Sequence, residues 1–106
     1  MIREVVHYGI HFLLPVVIGM LALPGRRLRV MLILLSGILI DVDHLWATPV
    51  FDPMRCSIGF HPLHTYQAIA IYALLFSVRK TRLLGLALLL HILADATDCW
   101  LLGLGL

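Results

Sequence analysis

Ten side chains able to bind a metal stand in this sequence at spacings that helices would gather: His7, His11, Asp41, Asp43, His44, His61, His64, His91, Asp95 and Asp98. His7 and His11 are four apart, as are His91 and Asp95, and residues three or four apart share a helix face. Asp41 and His44 share a face too, with Asp43 further round, an arrangement that works best where a helix is ending. His61 falls near a helix N-cap and His64 a turn later, so both imidazoles reach a helix mouth. Mixed imidazoles and carboxylates suit Zn²⁺ best, with Mn²⁺ or Fe²⁺ as alternatives, and suit Ca²⁺ less because it prefers oxygen alone. A tetrahedral zinc site takes about four ligands. Ten candidates therefore imply two ions, or three, with some donors orienting the imidazoles from behind.

The background of these donors is apolar. The chain has 106 residues, 61% apolar and 13% charged, with a mean hydropathy of +1.01, whereas a soluble domain carries about 25% charge. The expected fold is all-α: a polytopic membrane protein of four helices in one compact bundle covering 1–106. A bilayer core of roughly 30 Å needs roughly 20 residues per helix, and four apolar blocks fit, at about 5–23, 28–46, 62–78 and 83–102. Pro24-Gly25 ends the first block, Pro49 and Pro53 break the 47–60 connection, and Pro62 suits the first turn of the third helix. The first block lacks a basic leader and carries two histidines, so it reads as a retained helix and not a cleaved signal.

Six of the eight Lys/Arg residues (Arg26, Arg27, Arg29, Arg79, Lys80 and Arg82) lie in or beside the first and third connections. The positive-inside rule puts that side in the cytoplasm, and both termini and the 47–60 loop on the periplasmic side of a bacterial inner membrane. Tyr8, Trp46, Tyr66 and Trp100 fit an aromatic belt at the outer interface. The formal net charge is only +2 and follows the topology, so the expected partner is membrane lipid, not nucleic acid; a homo-oligomer is compatible with the composition.

Counting about 1.5 Å per residue from the cytoplasmic ends, His91 lies about 12 Å deep and the other nine donors between about 18 and 27 Å. Four helices thus contribute to one layer in the outer leaflet. An Asp at a span centre costs about 2.5 to 3.5 kcal/mol, and the one Lys or Arg inside these blocks, Arg29, sits at the opposite end of the second block from the four acids. A divalent cation would neutralise several at once, so the layer marks function.

The succession His7-x3-His11, Asp41-Val42-Asp43-His44, His61-Pro62-Leu63-His64-Thr65 and His91-x3-Asp95 resembles the small integral-membrane proteins described as membrane-bound metal-dependent hydrolases, also labelled LexA-binding inner-membrane proteins. A closer likeness, over nearly the whole chain, is to a short four-span family of unknown function related to them. The larger family shows a longer His-Arg-x-x-Thr-His-Ser stretch where this chain has only residues 61–65. His-x3-Asp is more distantly similar to zinc-dependent phospholipase C and related nucleases. The resemblance implies metal-dependent hydrolysis.

On that expectation two bridged cations activate water against a phosphoryl or acyl group. Asp43 or Asp98 serves as general base, and Arg55 either clamps a phosphate or anchors the interface. The outer-leaflet depth favours a lipid or lipid-linked phosphoester. Cys56 and Cys99 would face an oxidising compartment, where a disulfide pinning the loop, two free thiols and a soft metal ligand are all open. The alternative class is a non-catalytic metal-binding structural or partner-binding subunit, which predicts a closed site. Axial haem ligation leaves the carboxylates beside nearly every His unexplained, and the apolar inner halves of the blocks argue against conduction.

Overall fold

The computed structural model describes residues 2–50, 52 and 54–106, and over them the chain is all-helical, with no strand among the described residues. Pro53, one of the expected breakers, lies outside the described residues. Helix α1 spans Ile2–Met20 and contains a π turn at Gly9–Leu13. Helix α2 spans Arg27–Leu35 and continues as a 3-10 helix, Ser36–Trp46. A 3-10 turn, Pro62–His64, precedes α3, Tyr66–Ser77, and α4 runs from Arg82 to Gly103. Among the described residues two helices, α1 and α4, are long and apolar enough to cross a membrane, while α3 is a shorter apolar helix.

The third block differs from the continuous 62–78 helix expected. Pro62 does open a turn, where its missing N–H costs nothing, but Thr65 is extended and its Oγ1 accepts from the Ala68 N–H at 3.3 Å. That is an N-cap, so α3 starts afresh at Tyr66 and His61 and His64 stay on a separate short turn.

Two distortions shape the layer of donors. Pro15 lacks an N–H and its ring crowds the carbonyl four residues earlier, that of His11; α1 widens into its π turn over the residues just before. The 3-10 helix has three residues per turn and sorts its side chains into three rows. Gly37, Ile40 and Asp43 are buried, Ile38, Asp41 and His44 are half-buried, and Leu39, Val42 and Leu45 are exposed. An α-helical register would smear that division, because its repeat is 3.6.

Helix α4 is central and packs against α1, α2 and α3. Leu34, Ala87 and Leu90 form one core cluster, and Ile40, Tyr72 and Ile92 a second. Gly37 sits where any Cβ would run into the Ala87 carbonyl oxygen, and Gly85 where one would meet the Phe76 backbone. Helix α4 therefore crosses both neighbours backbone to backbone. Asp41 and His91 each lie four residues beyond the Gly37–Ala87 crossing, so this close approach brings them together. The outward faces carry exposed Leu13, Leu32, Leu39, Ile71, Leu74 and Leu93. Cys56 and Cys99 form a disulfide that ties the long connection to α4.

Candidate metal centre

Nine of the ten candidate donors fall into three groups whose ligand atoms converge closely enough to hold an ion. The first is Asp41, His64, His91 and Asp95. His91 Nε2 lies 2.9 Å from Asp41 Oδ1, 3.2 Å from Asp95 Oδ2 and 3.1 Å from His64 Nε2. His64 Nε2 in turn lies 2.8 Å from Asp95 Oδ2 and 3.4 Å from Asp41 Oδ1. A tetrahedral ion with bonds of about 2.0 Å has donor–donor edges of about 3.3 Å, and these five edges run from 2.8 to 3.4 Å, four of them below that value.

Protonation sharpens the point. His64 Nδ1 donates to Asp43 Oδ2 at 2.8 Å, and the Leu63 N–H donates to the same oxygen at 2.8 Å. With its proton held at Nδ1, a neutral His64 turns an Nε2 lone pair toward Asp95. Asp95 Oδ2 is buried and has no hydrogen-bond partner of acceptable angle despite that 2.8 Å contact. Two lone pairs so close repel unless a positive charge, a proton or a bound cation, lies between them, and the near-tetrahedral spacing of the four donors suits the cation. The donors therefore fit a divalent cation, with Asp43 as the carboxylate that fixes the imidazole from behind.

The second group is His7, His11 and Asp95. His7 Nδ1 and His11 Nε2 each lie 3.7 Å from Asp95 Oδ1, and neither nitrogen has a hydrogen-bond partner. The imidazoles stack edge to face with centroids 4.4 Å apart, across the π turn. Asp95 thus presents one oxygen to each group. The third group is Asp43, His44 and His61. His44 Nδ1 lies 3.2 Å from Asp43 Oδ1, His61 stacks on His44 at 3.8 Å, and both His61 ring nitrogens are buried without partners. Burial, with His44 close by, lowers the pKa of the His61 imidazole from the ordinary histidine value.

A cavity of about 330 Å³ opens over these groups. His7, His11, Asp41, His44, His61 and Asp95 contribute to its wall, and Arg3, Arg55 and Asp98 also line it. His64, His91 and Asp43 lie behind.

Asp98 stands apart from the imidazoles. Arg3 grips it through two parallel bonds, Nε to Oδ1 and Nη2 to Oδ2, both 3.1 Å. Arg3, just outside the 5–23 block, thus supplies one of the acids with a cation, and both oxygens of Asp98 are engaged by it. Asp43 does not face the cavity as a general base would: it is 0% exposed and serves His64, the Leu63 amide and His44. Arg55 donates to the Pro49 and Val50 carbonyls at 2.9 and 3.1 Å and lies 4.7 Å from the Phe60 ring centroid, so it braces the loop as well as lining the cavity. The missed contributor is Arg3, whose signal was its spacing: Arg3, His7 and His11 form one i,i+4 stripe that meets Asp95 and Asp98 on α4.

The chain belongs to a family of unknown function, DUF6122, whose model matches residues 1–102. No curated protein and no solved structure matches it.

Proposed function

We propose that this chain is a four-span membrane protein that holds at least two divalent cations, zinc fitting best, near the outer ends of its helices and hydrolyses a lipid or lipid-linked phosphoester. The observation that carries the reading is Asp95, with Oδ2 in a four-donor group and Oδ1 in a three-donor group. Bound there, the cations would supply Lewis acidity toward a phosphoryl oxygen and acidification of water. The protein's share is positional. Four donors close a tetrahedral site, whereas His7, His11 and Asp95 leave a fourth direction, as catalytic zinc sites do, and all three line the cavity. Arg55, at the same cavity, offers a cation to an anionic headgroup. The resemblance of the motifs to those of membrane-bound metal-dependent hydrolases points the same way.

Membrane placement draws on several features. Helix α2 and its 3-10 continuation reach about 35 Å at 1.5 and 2.0 Å per residue, enough to cross. The outward faces are apolar. The exposed aromatics Tyr8, Trp46, Tyr66 and Trp100 lie toward the donor end, while Arg26, Arg27, Arg29, Arg79, Lys80 and Arg82 flank the opposite ends of the helices. Both termini and the disulfide then lie on an oxidising, periplasmic side of a bacterial inner membrane.

The test is elemental analysis of the detergent-purified protein, never exposed to chelator, alongside turnover of phosphodiester lipids. At least two zinc ions per chain, with turnover that His11→Ala abolishes, is the expected result. A chain with no transition metal would overturn the reading. Metal without turnover of any lipid phosphoester would favour a structural subunit, for which the closed four-donor group is the supporting feature.

A further inference from the structure

We infer that Asp43, His44 and His61 form a third cation site, coupled to the four-donor site through the two oxygens of Asp43. The inference rests on the reading that the first two groups bind metal, and it adds an ion that neither of them needs. Asp43 Oδ2 holds the Nδ1–H of His64, whose Nε2 faces the four-donor group, while Oδ1 points to His44 at 3.2 Å. Independent support comes from His61. It is 1% exposed, yet both its ring nitrogens lack a partner, although its donor atom converges with those of Asp43 and His44. A buried imidazole with neither nitrogen satisfied is costly. Face-to-face stacking on His44 uses neither nitrogen.

Two imidazoles and one carboxylate make a borderline donor set that takes Zn²⁺ ahead of Mg²⁺ or Ca²⁺. Three protein ligands leave a coordination position, and His44 and His61 line the same cavity as His7 and His11. An ion here draws electron density from Asp43, loosening its hold on His64. The third site therefore fills last and weakest. It also depends on the long connection, because His61 ends the segment that the Cys56–Cys99 disulfide ties to α4.

Zinc titration of the intact protein in detergent, followed by gel filtration and elemental analysis, tests this. Wild type is expected to take three Zn²⁺ per chain, two retained at low free zinc and a third released first. His61→Ala and His44→Ala should each stop at two, and Cys56→Ser with Cys99→Ser should weaken the third ion by about tenfold or more while keeping the first two. A wild-type chain saturating at two, or both histidine variants still taking three, would overturn the third site and leave the first two standing. Both histidine variants falling below two would also overturn it, since these residues would then belong to the support of the first sites. No zinc in the wild type would sink the earlier reading as well.

Discussion

The two groups that share Asp95 differ in how they are built. The four-donor group draws on the 3-10 helix, the turn before α3 and two positions of α4, with donor separations of 2.8 to 3.4 Å and Asp43 buttressing it from behind. The His7–His11–Asp95 group uses only α1 and α4, its separations from Asp95 are 3.7 Å, and it borders the cavity. The first has four donors at short separations, with only Asp41 and Asp95 reaching the cavity wall; the second has three donors at wider separations, all of them at the wall. If both groups hold cations as proposed, a single carboxylate facing two ways serves both, and the closely packed group positions the shared ligand for the looser one.

Removing the shared ligand should break the comparison altogether. Asp95→Asn is expected to lower zinc affinity at both groups by well over about 100-fold, more than loss of an outer partner usually costs, which elemental analysis would record as two ions missing. If only one ion is lost, the carboxylate does not bridge. His11→Ala should instead remove one ion and all turnover while the four-donor ion stays, since its ligands lie on other residues; equal loss of both ions would show that the groups are not separable.

Asp43→Asn tests the buttress. The amide can still accept from His64, but without the charge, so affinity at the four-donor group should fall by about 10- to 100-fold, measured by competition with a chromophoric chelator. Gly37→Ala strikes the crossing beneath that group. Its methyl meets the Ala87 carbonyl, and forcing the helices apart should cost about 1–3 kcal/mol and draw Asp41 away from His91, lowering both thermal stability and zinc affinity. Leu39→Ala, on the exposed row of the 3-10 helix, should change either quantity by less than about 0.5 kcal/mol; a large effect would mean that the three rows are wrongly assigned.

The sequence made several of these features legible and hid others for physical reasons. The His7/His11 and His91/Asp95 pairs were readable because i,i+4 spacing survives in any nearly helical segment. The sharing of a face by Asp41 and His44, with Asp43 apart, was also readable, although the 3-10 register that separates them so fully was not, since no residue type in Ser36–Trp46 marks it. The pairing of Asp98 with Arg3 was hidden because the two are 95 residues apart. The third block was read as one helix because Thr65 as an N-cap is a weak signal inside an apolar run. Cys56 and Cys99 left three chemical fates open, and only their proximity across 43 residues of chain selects the disulfide.

The sequence by itself determined that this chain is helical and apolar and that it carries imidazoles and carboxylates near one end of every helix, because composition and periodicity are local properties. Only the tertiary structure decided how those donors divide: which four converge, which oxygen of Asp95 faces which group, and that Asp98 goes to Arg3. That division depends on backbones meeting at Gly37 and Ala87 and on the π and 3-10 distortions that set side-chain angles, and both are settled by the packing of distant segments against one another.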